Sequence, residues 1–163
     1  MGKRDDAFQI FFEGNLLLLR RLAYRLTGNM SEAEELAQDV MVRIYRQWRA
    51  LKRSPDTVAY ARAVMLNRHR SLLRRARVEL RYRPDPQPPK DLDAEDAELW
   101  TELARLPVRQ RQALVLHFYE DLPQTKIAEL MGCPTGTVNS LVHRGLNSLR
   151  ARMTEDSPRS EVQ

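Results

Sequence analysis

Apolar residues recur at helical intervals through most of this chain, and residues that break helices stand where the recurrence stops. Across residues 6–26, Phe8, Phe11, Phe12, Leu16, Leu19, Leu22, Ala23 and Leu26 fall at helical spacings, and Thr27-Gly28-Asn29 ends the run. A second helix is expected to follow. Ser31 and Glu34 have the spacing of a capping box, after which Leu36, Val40, Ile44 and Trp48 recur at intervals of four as one buried stripe. Beyond a loop at 50–56 the pattern predicts a third helix from Thr57 to about Val78, docked through Ala61, Val64, Met65, Leu72 and Leu73.

The periodicity then fails. Residues 83–102 read RPDPQPPKDLDAEDAELWTE, four prolines followed by a run of acids. Proline withholds backbone donors and favours extended conformations, and the acids repel one another, so no packed structure is expected before about Asp93. The chain is therefore expected to be all-α. Two small helical domains, at 1–83 and 98–153, would be joined by a flexible Pro-rich acidic linker at 84–97 and followed by a disordered polar tail at 154–163.

Helical spacing returns in the second domain with a different motif. Residues 121–152 read DLPQTKIAELMGCPTGTVNSLVHRGLNSLRAR. Ile127, Leu130 and Met131 mark one face of a short helix, Ala128 is small enough for a close crossing, and Gly132 supplies the turn. Pro134 and Thr135 suit a helix start, and Val138, Leu141, Val142, Leu146 and Leu149 recur along the helix that follows. This is the pattern of a helix-turn-helix. Thr135, Thr137, Asn139, Ser140, His143 and Arg144 crowd the start of its second helix, where a recognition helix meets base edges and phosphates.

Charge sharpens the picture. The 163 residues carry a formal charge of +5, and the excess is nearly all arginine, the side chain best matched to phosphate. On the third helix Arg68, Arg70, Arg74, Arg75 and Arg77 exceed what a helix C-terminus needs, since each well-placed cation there contributes about 0.3–1 kcal/mol. Phosphate contact is the expectation. A single cysteine, Cys133, excludes an internal disulfide and reads as a small buried residue in the helix-turn-helix corner. It has no metal-ligand spacing with His69, His117 or His143, so neither a metal nor a cofactor is expected. The apolar run at 16–19 is too short for a signal peptide or a membrane span, which places the protein in the cytoplasm with no membrane partner. Nor is an enzyme expected, because the densest acid cluster lies in a proline-rich segment that cannot hold catalytic geometry.

Four stretches in order, LLRRLAYRLTGN, SEAEELAQDVMVRIYRQW, DTVAYARAVMLNRHRSLLRR and LPVRQRQALVLHFYEDLPQTKIAELMGCPTGTVNSLVHRGLNSLR, resemble the extracytoplasmic-function (group IV) sigma factors of the sigma-70 family, and among them the short two-domain type of actinobacteria. The resemblance spans nearly all of residues 6–153 and implies sigma region 2 in the first domain and region 4 in the second. It implies a protein that docks on core RNA polymerase, through the clamp of the largest subunit and the flap of the second largest, and directs initiation at promoter DNA. An anti-sigma factor is a further partner that the class often has. A stand-alone helix-turn-helix regulator is the alternative, but it would usually contain a dimerisation or ligand domain, and the first domain has no heptad seam or pocket signature.

The same resemblance implies residue roles. The helix that contains Glu35, Gln38, Asp39, Val42 and Arg46 is similar to the family's polymerase-docking helix. Leu51, Lys52, Arg53 and Ser54, with Tyr60, Asn67, Arg70, Arg74 and Arg75, are similar to the minus-10 element reader, in which a pocket holds a base flipped out of the strand. Arg111, Thr135, Thr137, Asn139, Ser140, His143 and Arg144 would meet minus-35 DNA. The linker acids Asp85, Asp91, Asp93, Glu95, Asp96 and Glu98 would occupy polymerase channels built for nucleic acid, mimicking RNA. Three positions depart from the family pattern. Asn139 and Leu141 stand where lysine and arginine are common, which implies weaker phosphate contact and a different minus-35 sequence, and Ser71 stands where aspartate is common, which implies the loss of a local contact in the minus-10 helix.

Overall fold

A computed structural model describes residues 3–78 and 94–155, and the chain divides into two compact units, Met1–Asp85 and Pro86–Gln163. All regular structure among the described residues is helical.

In the first unit, α1 (Lys3–Thr27) packs along α2 (Met30–Arg46), and α4 (Thr57–Val78) crosses both, with a short α3 (Trp48–Leu51) between. Leu19, Leu22 and Leu26 from α1, Leu36, Val40 and Ile44 from α2, and Ala61, Met65 and Leu66 from α4 are removed from solvent. Burying one such side chain contributes about 1.5–3 kcal/mol, enough to hold helices that would be marginal alone. Trp48 adds an aromatic layer: its ring lies 5.5 Å from Phe8 and 5.3 Å from Phe11.

The α1–α2 turn corrects one expectation. Gly28 takes a left-handed backbone (φ 71°), which its missing Cβ permits. Asn29 follows in extended conformation and its Oδ1 accepts from the Glu32 amide at 3.2 Å. The cap is therefore Asn29 and not Ser31, which lies inside the first turn. Glu34 has no capping role; it pairs with Arg20 of α1 at 2.5 Å. The expected loop is also shorter, because α3 takes its first residues and leaves 52–56. Along α4, full burial ends at His69; Leu73 is half-buried, and Leu72, expected to dock, is 37% exposed.

The second unit contains α5 (Ala94–Arg105), α6 (Val108–Leu114), a π-helical turn (Val115–Tyr119), α7 (Gln124–Met131) and α8 (Thr135–Glu155). Helix α5 begins inside the stretch expected to be linker, so Glu95, Asp96 and Glu98 are helical, not part of an extended acidic strand. Its Leu103 is buried, and an apolar anchor of that kind recruits the acidic turns before it. Helix α8 likewise runs into the expected tail, with Thr154 donating to the Arg150 carbonyl at 2.8 Å. Asp85, Asp91, Asp93 and the rest of the tail lie outside the described residues.

Between α7 and α8, Gly132 adopts the left-handed conformation (φ 62°) that the turn requires. Cys133 beside it is half-buried, less enclosed than its type suggested. Val138, Val142 and Leu149 pack α8 on the unit's core, and Gly145 lets it approach α6 closely: a Cβ there would lie 2.8 Å from Leu114 Cδ1. Gly145→Val should therefore lower unfolding free energy by about 1–3 kcal/mol through overpacking, read by denaturant melts of the second unit's helicity. A variant as stable as the parent would show that Leu114 has room to move aside.

Candidate nucleic-acid interface

Helix α4 presents one face that its core does not use. Tyr60, Asn67 and Arg74 are seven residues apart and so align along the helix. Asn67, Arg74 and Arg75 are exposed, and Arg70 is half-buried. The Tyr60 hydroxyl donates to Gln47 Oε1 at 2.6 Å, which fixes the ring at the α2–α3 junction with part of its surface open.

At the head of this face lies loop 52–56, where Lys52, Arg53 and Ser54 are exposed. Asp56 Oδ1 accepts from the Ala59 amide at 3.0 Å and caps α4, while the Thr57 hydroxyl donates to the Leu51 carbonyl at 3.1 Å. Leu51 itself departs from its expected role. Its side chain is buried in the first unit's core, as its apolar character demands, so only its backbone borders the loop.

On α2, Glu35, Gln38, Val42 and Arg46 are exposed, Val42 at 47%. Asp39 is not free in the same way: its carboxylate accepts a hydrogen bond from Arg68 Nε of α4, tying the expected docking helix to the expected minus-10 helix. Gln38, Val42 and Arg46 share an apolar groove with Phe8, Phe12, Met41 and Tyr45. Sequence reasoning placed Phe8 and Phe12 on an apolar helix face without a groove and passed over Met41 and Tyr45. The signal that was available is the width of the apolar set on α1, which exceeds what two neighbouring helices can cover.

In the second unit Thr135, Asn139, Ser140, His143 and Arg144 are exposed on α8, and Thr137 is half-buried. Asn139 Oδ1 accepts a hydrogen bond from Gln124 Nε2 of α7 at 3.4 Å. Arg111 does not belong to this surface. It is 4% exposed, and its Nη1 donates to the Ala104 carbonyl at 2.9 Å, stitching α6 to the end of α5. Nearby Glu102 is also buried and pairs with Arg105 at 2.5 Å and with Arg152 of α8 at 3.5 Å. Sequence reasoning missed Glu102, whose one clue was its place amid Leu103 and Leu106 at the end of α5.

These two units define a class: a helix-turn-helix DNA-binding protein with a separate three-helix unit whose third long helix offers an aromatic, an amide and arginines on one face. Family comparison takes the identification further. Residues 11–79 match the model described as Sigma-70 region 2, and residues 96–149 match Sigma-70, region 4. The chain is 32% identical over 133 residues to the ECF RNA polymerase sigma factor RpoE of Cereibacter sphaeroides, covering 76% of this chain and 74% of that protein. It is 31% identical over 140 residues to the RNA polymerase sigma-E factor of Streptomyces coelicolor, covering 83% and 79%. With the ECF RNA polymerase sigma factor SigE of Mycolicibacterium smegmatis it shares 32% identity over 150 residues, 84% of this chain but 58% of that longer protein. In fold it is similar to a chain of the co-crystal structure of the sigma factor RpoE with the anti-sigma factor NepR from Bartonella quintana, with TM-score 0.77 and 22% identity over 91% of this chain and 98% of that one. The protein belongs to the sigma-70 family of RNA polymerase sigma factors, in its extracytoplasmic-function group. No described helix is long and apolar enough to cross a membrane.

The reassignment of Arg111 has a measurable consequence. Arg111→Met should destabilise the second unit by about 1–3 kcal/mol, the scale of a lost charged hydrogen bond. The salt dependence of DNA binding by the folded variant should stay as in the parent. A shallower slope would return Arg111 to the interface.

Proposed function

We propose that this protein docks on core RNA polymerase through α2, holds minus-35 duplex with α8, and reads and melts the minus-10 element with α4 and loop 52–56. The observation that supports this best is the alignment of Tyr60, Asn67 and Arg74 on a single face of α4, below the exposed Lys52, Arg53 and Ser54. Melting DNA costs stacking and pairing, a few kcal/mol for a flipped nucleotide. A face with an aromatic ring, an amide and cations can offset it: stacking contributes about 1–3 kcal/mol per base, the amide reads a base edge, and arginines take the strand's phosphates.

In this cycle the first unit opens DNA and the helices of the second, from α5 to α8, anchor it. The segment between α4 and α5 connects the two and yields to the growing transcript. Docking through Gln38, Val42 and Arg46 places their apolar groove against the clamp of the largest subunit, and the flap of the second-largest subunit receives the second unit. Glu35 and Asp39 border that contact. An anti-sigma factor is a further partner; the structurally similar sigma factor RpoE was co-crystallised with one, NepR. The protein works by binding and has no catalytic residues, and its place is the cytoplasm, on the polymerase.

Purified bacterial core polymerase, supplied with a library of promoter fragments, should initiate at discrete starts with shared upstream elements only when this protein is present. Starts that do not depend on it, together with sequence-specific duplex binding in the absence of polymerase, would instead indicate a stand-alone regulator. Val42→Glu should weaken polymerase binding at least about tenfold, since a charge would be buried in an apolar contact, while leaving thermal stability unchanged. Asn67→Ala should reduce minus-10 selectivity and permanganate-detected opening without altering polymerase affinity. Arg144→Ala should lower promoter affinity and reduce the slope of log affinity against log salt by about one unit; an unchanged slope removes it from the phosphate contacts.

A further inference from the structure

We propose that Gln124 and Asn139 form one composite reading group, in which side chains from both helices of the helix-turn-helix together recognise a single adenine in the major groove of the minus-35 element. This rests on α8 being the minus-35 reader.

The starting point is the hydrogen bond from Gln124 Nε2 to Asn139 Oδ1, 3.4 Å long. Asn139 is exposed and Gln124 is half-buried at the first position of α7. The fold does not use Gln124 as a cap, since Pro123 holds the N-cap position of α7 without a side-chain hydrogen bond. With 100° between successive helical residues, Asn139 lies on the flank of the face that carries Ser140, His143 and Arg144. That flank is the one from which Gln124 reaches it.

A primary amide has one carbonyl acceptor and two N–H donors. A lone exposed asparagine can present either edge to a base. Once its oxygen is engaged by Gln124, Asn139 leads with its Nδ2 donors, and Gln124, having donated through Nε2, keeps Oε1 as an acceptor. The pair then offers a donor and an acceptor from two different side chains. Adenine is the complementary base, with N7 to accept from Asn139 and N6–H to donate to Gln124. Guanine shows two acceptors, N7 and O6, and would leave the Gln124 oxygen facing another oxygen with no proton between them. Neither side chain carries charge, so the group adds sequence selectivity with no phosphate attraction of its own.

The test uses holoenzyme reconstituted from core polymerase and full-length protein, transcribing a library randomised upstream of the minus-10 element. The parent, Gln124→Ala, Asn139→Ala, the double variant and Arg144→Ala are compared. The parent should favour adenine about tenfold at one minus-35 position. Each single alanine variant should reduce that preference to about twofold or less at the same position, the double variant should do no more, and the salt slope should not move. That non-additivity is the signature of a single unit. Effects at two different positions, effects that multiply, or a parent preference for guanine would overturn the composite group, with the minus-35 assignment still standing if Arg144→Ala weakens initiation. If no variant, Arg144→Ala included, alters an upstream preference, the minus-35 reading fails and the proposal fails with it.

Discussion

One-sided burial governs this protein. A helical unit of this size can remove only about 60% of its unfolded surface from water, so each helix gives one stripe to the core and keeps the rest of its circumference outside. Leu36, Val40 and Ile44 on α2, and Ala61, Met65 and Leu66 on α4, are those stripes. What remains on α2 is an apolar groove with polar flanks, and what remains on α4 is the line of Tyr60, Asn67 and Arg74. The proposed working surfaces are the faces that a core this thin leaves over. They are also rigidly placed, because the stripe on the opposite side fixes each helix's rotation.

Buried charge plays the complementary part in the second unit. Short helices such as α6 cannot supply a long apolar stripe, and buried polar groups add to the joins: Arg111 ties α6 to α5, and Glu102 ties α5 to α8. A carboxylate taken out of water costs several kcal/mol unless paired, and Glu102 is paired with arginines from its own helix and from α8. The longer pair, with Arg152, links α5 to α8, while the shorter one, with Arg105, lies within α5. The recognition helix is therefore braced at its far end by Glu102–Arg152, at its middle by the Gly145–Leu114 contact, and at its start by the Gly132 turn.

Much of this was legible in the chain because helical periodicity and glycine are local signals. The bounds of α4 and the Gly132 turn follow from them, and so does the buried stripe on α2. The errors have a common cause. Periodicity identifies an apolar face but does not say how much of it a neighbour will cover, so it predicts docking for Leu72, which is exposed, and gives no sign that Phe8 lines a groove. Residue type sets a default location, and tertiary context overrode it for Arg111, which a cationic character points toward DNA and a buried carbonyl holds inside. Capping showed the same limit: Ser31 and Glu34 match a capping box, yet the left-handed Gly28 handed the cap to Asn29. The linker's acids were read by composition alone, and the apolar anchor of α5 pulled three of them into a helix.

The departures on α8 fit a reader that need not bind strongly alone. If α8 reads minus-35 DNA as proposed, the uncharged Asn139 and Leu141 would forgo the phosphate contacts that cations make there, each of which contributes to affinity in a salt-dependent way. In the place of one cation is the amide of Asn139, whose contribution would depend on base identity, and in the place of the other the uncharged aliphatic side chain of Leu141. Such a helix would hold free duplex poorly at physiological salt. Tethered to a polymerase that is engaged with the same promoter, however, it experiences an effective DNA concentration on the order of mM, and a weak contact then suffices for occupancy. Replacing cation by amide under those conditions removes attraction to arbitrary DNA while leaving discrimination at the promoter. Selectivity would then come from the absence of nonspecific hold as much as from any base contact, which suits a factor that must find few sites in a genome of competing duplex.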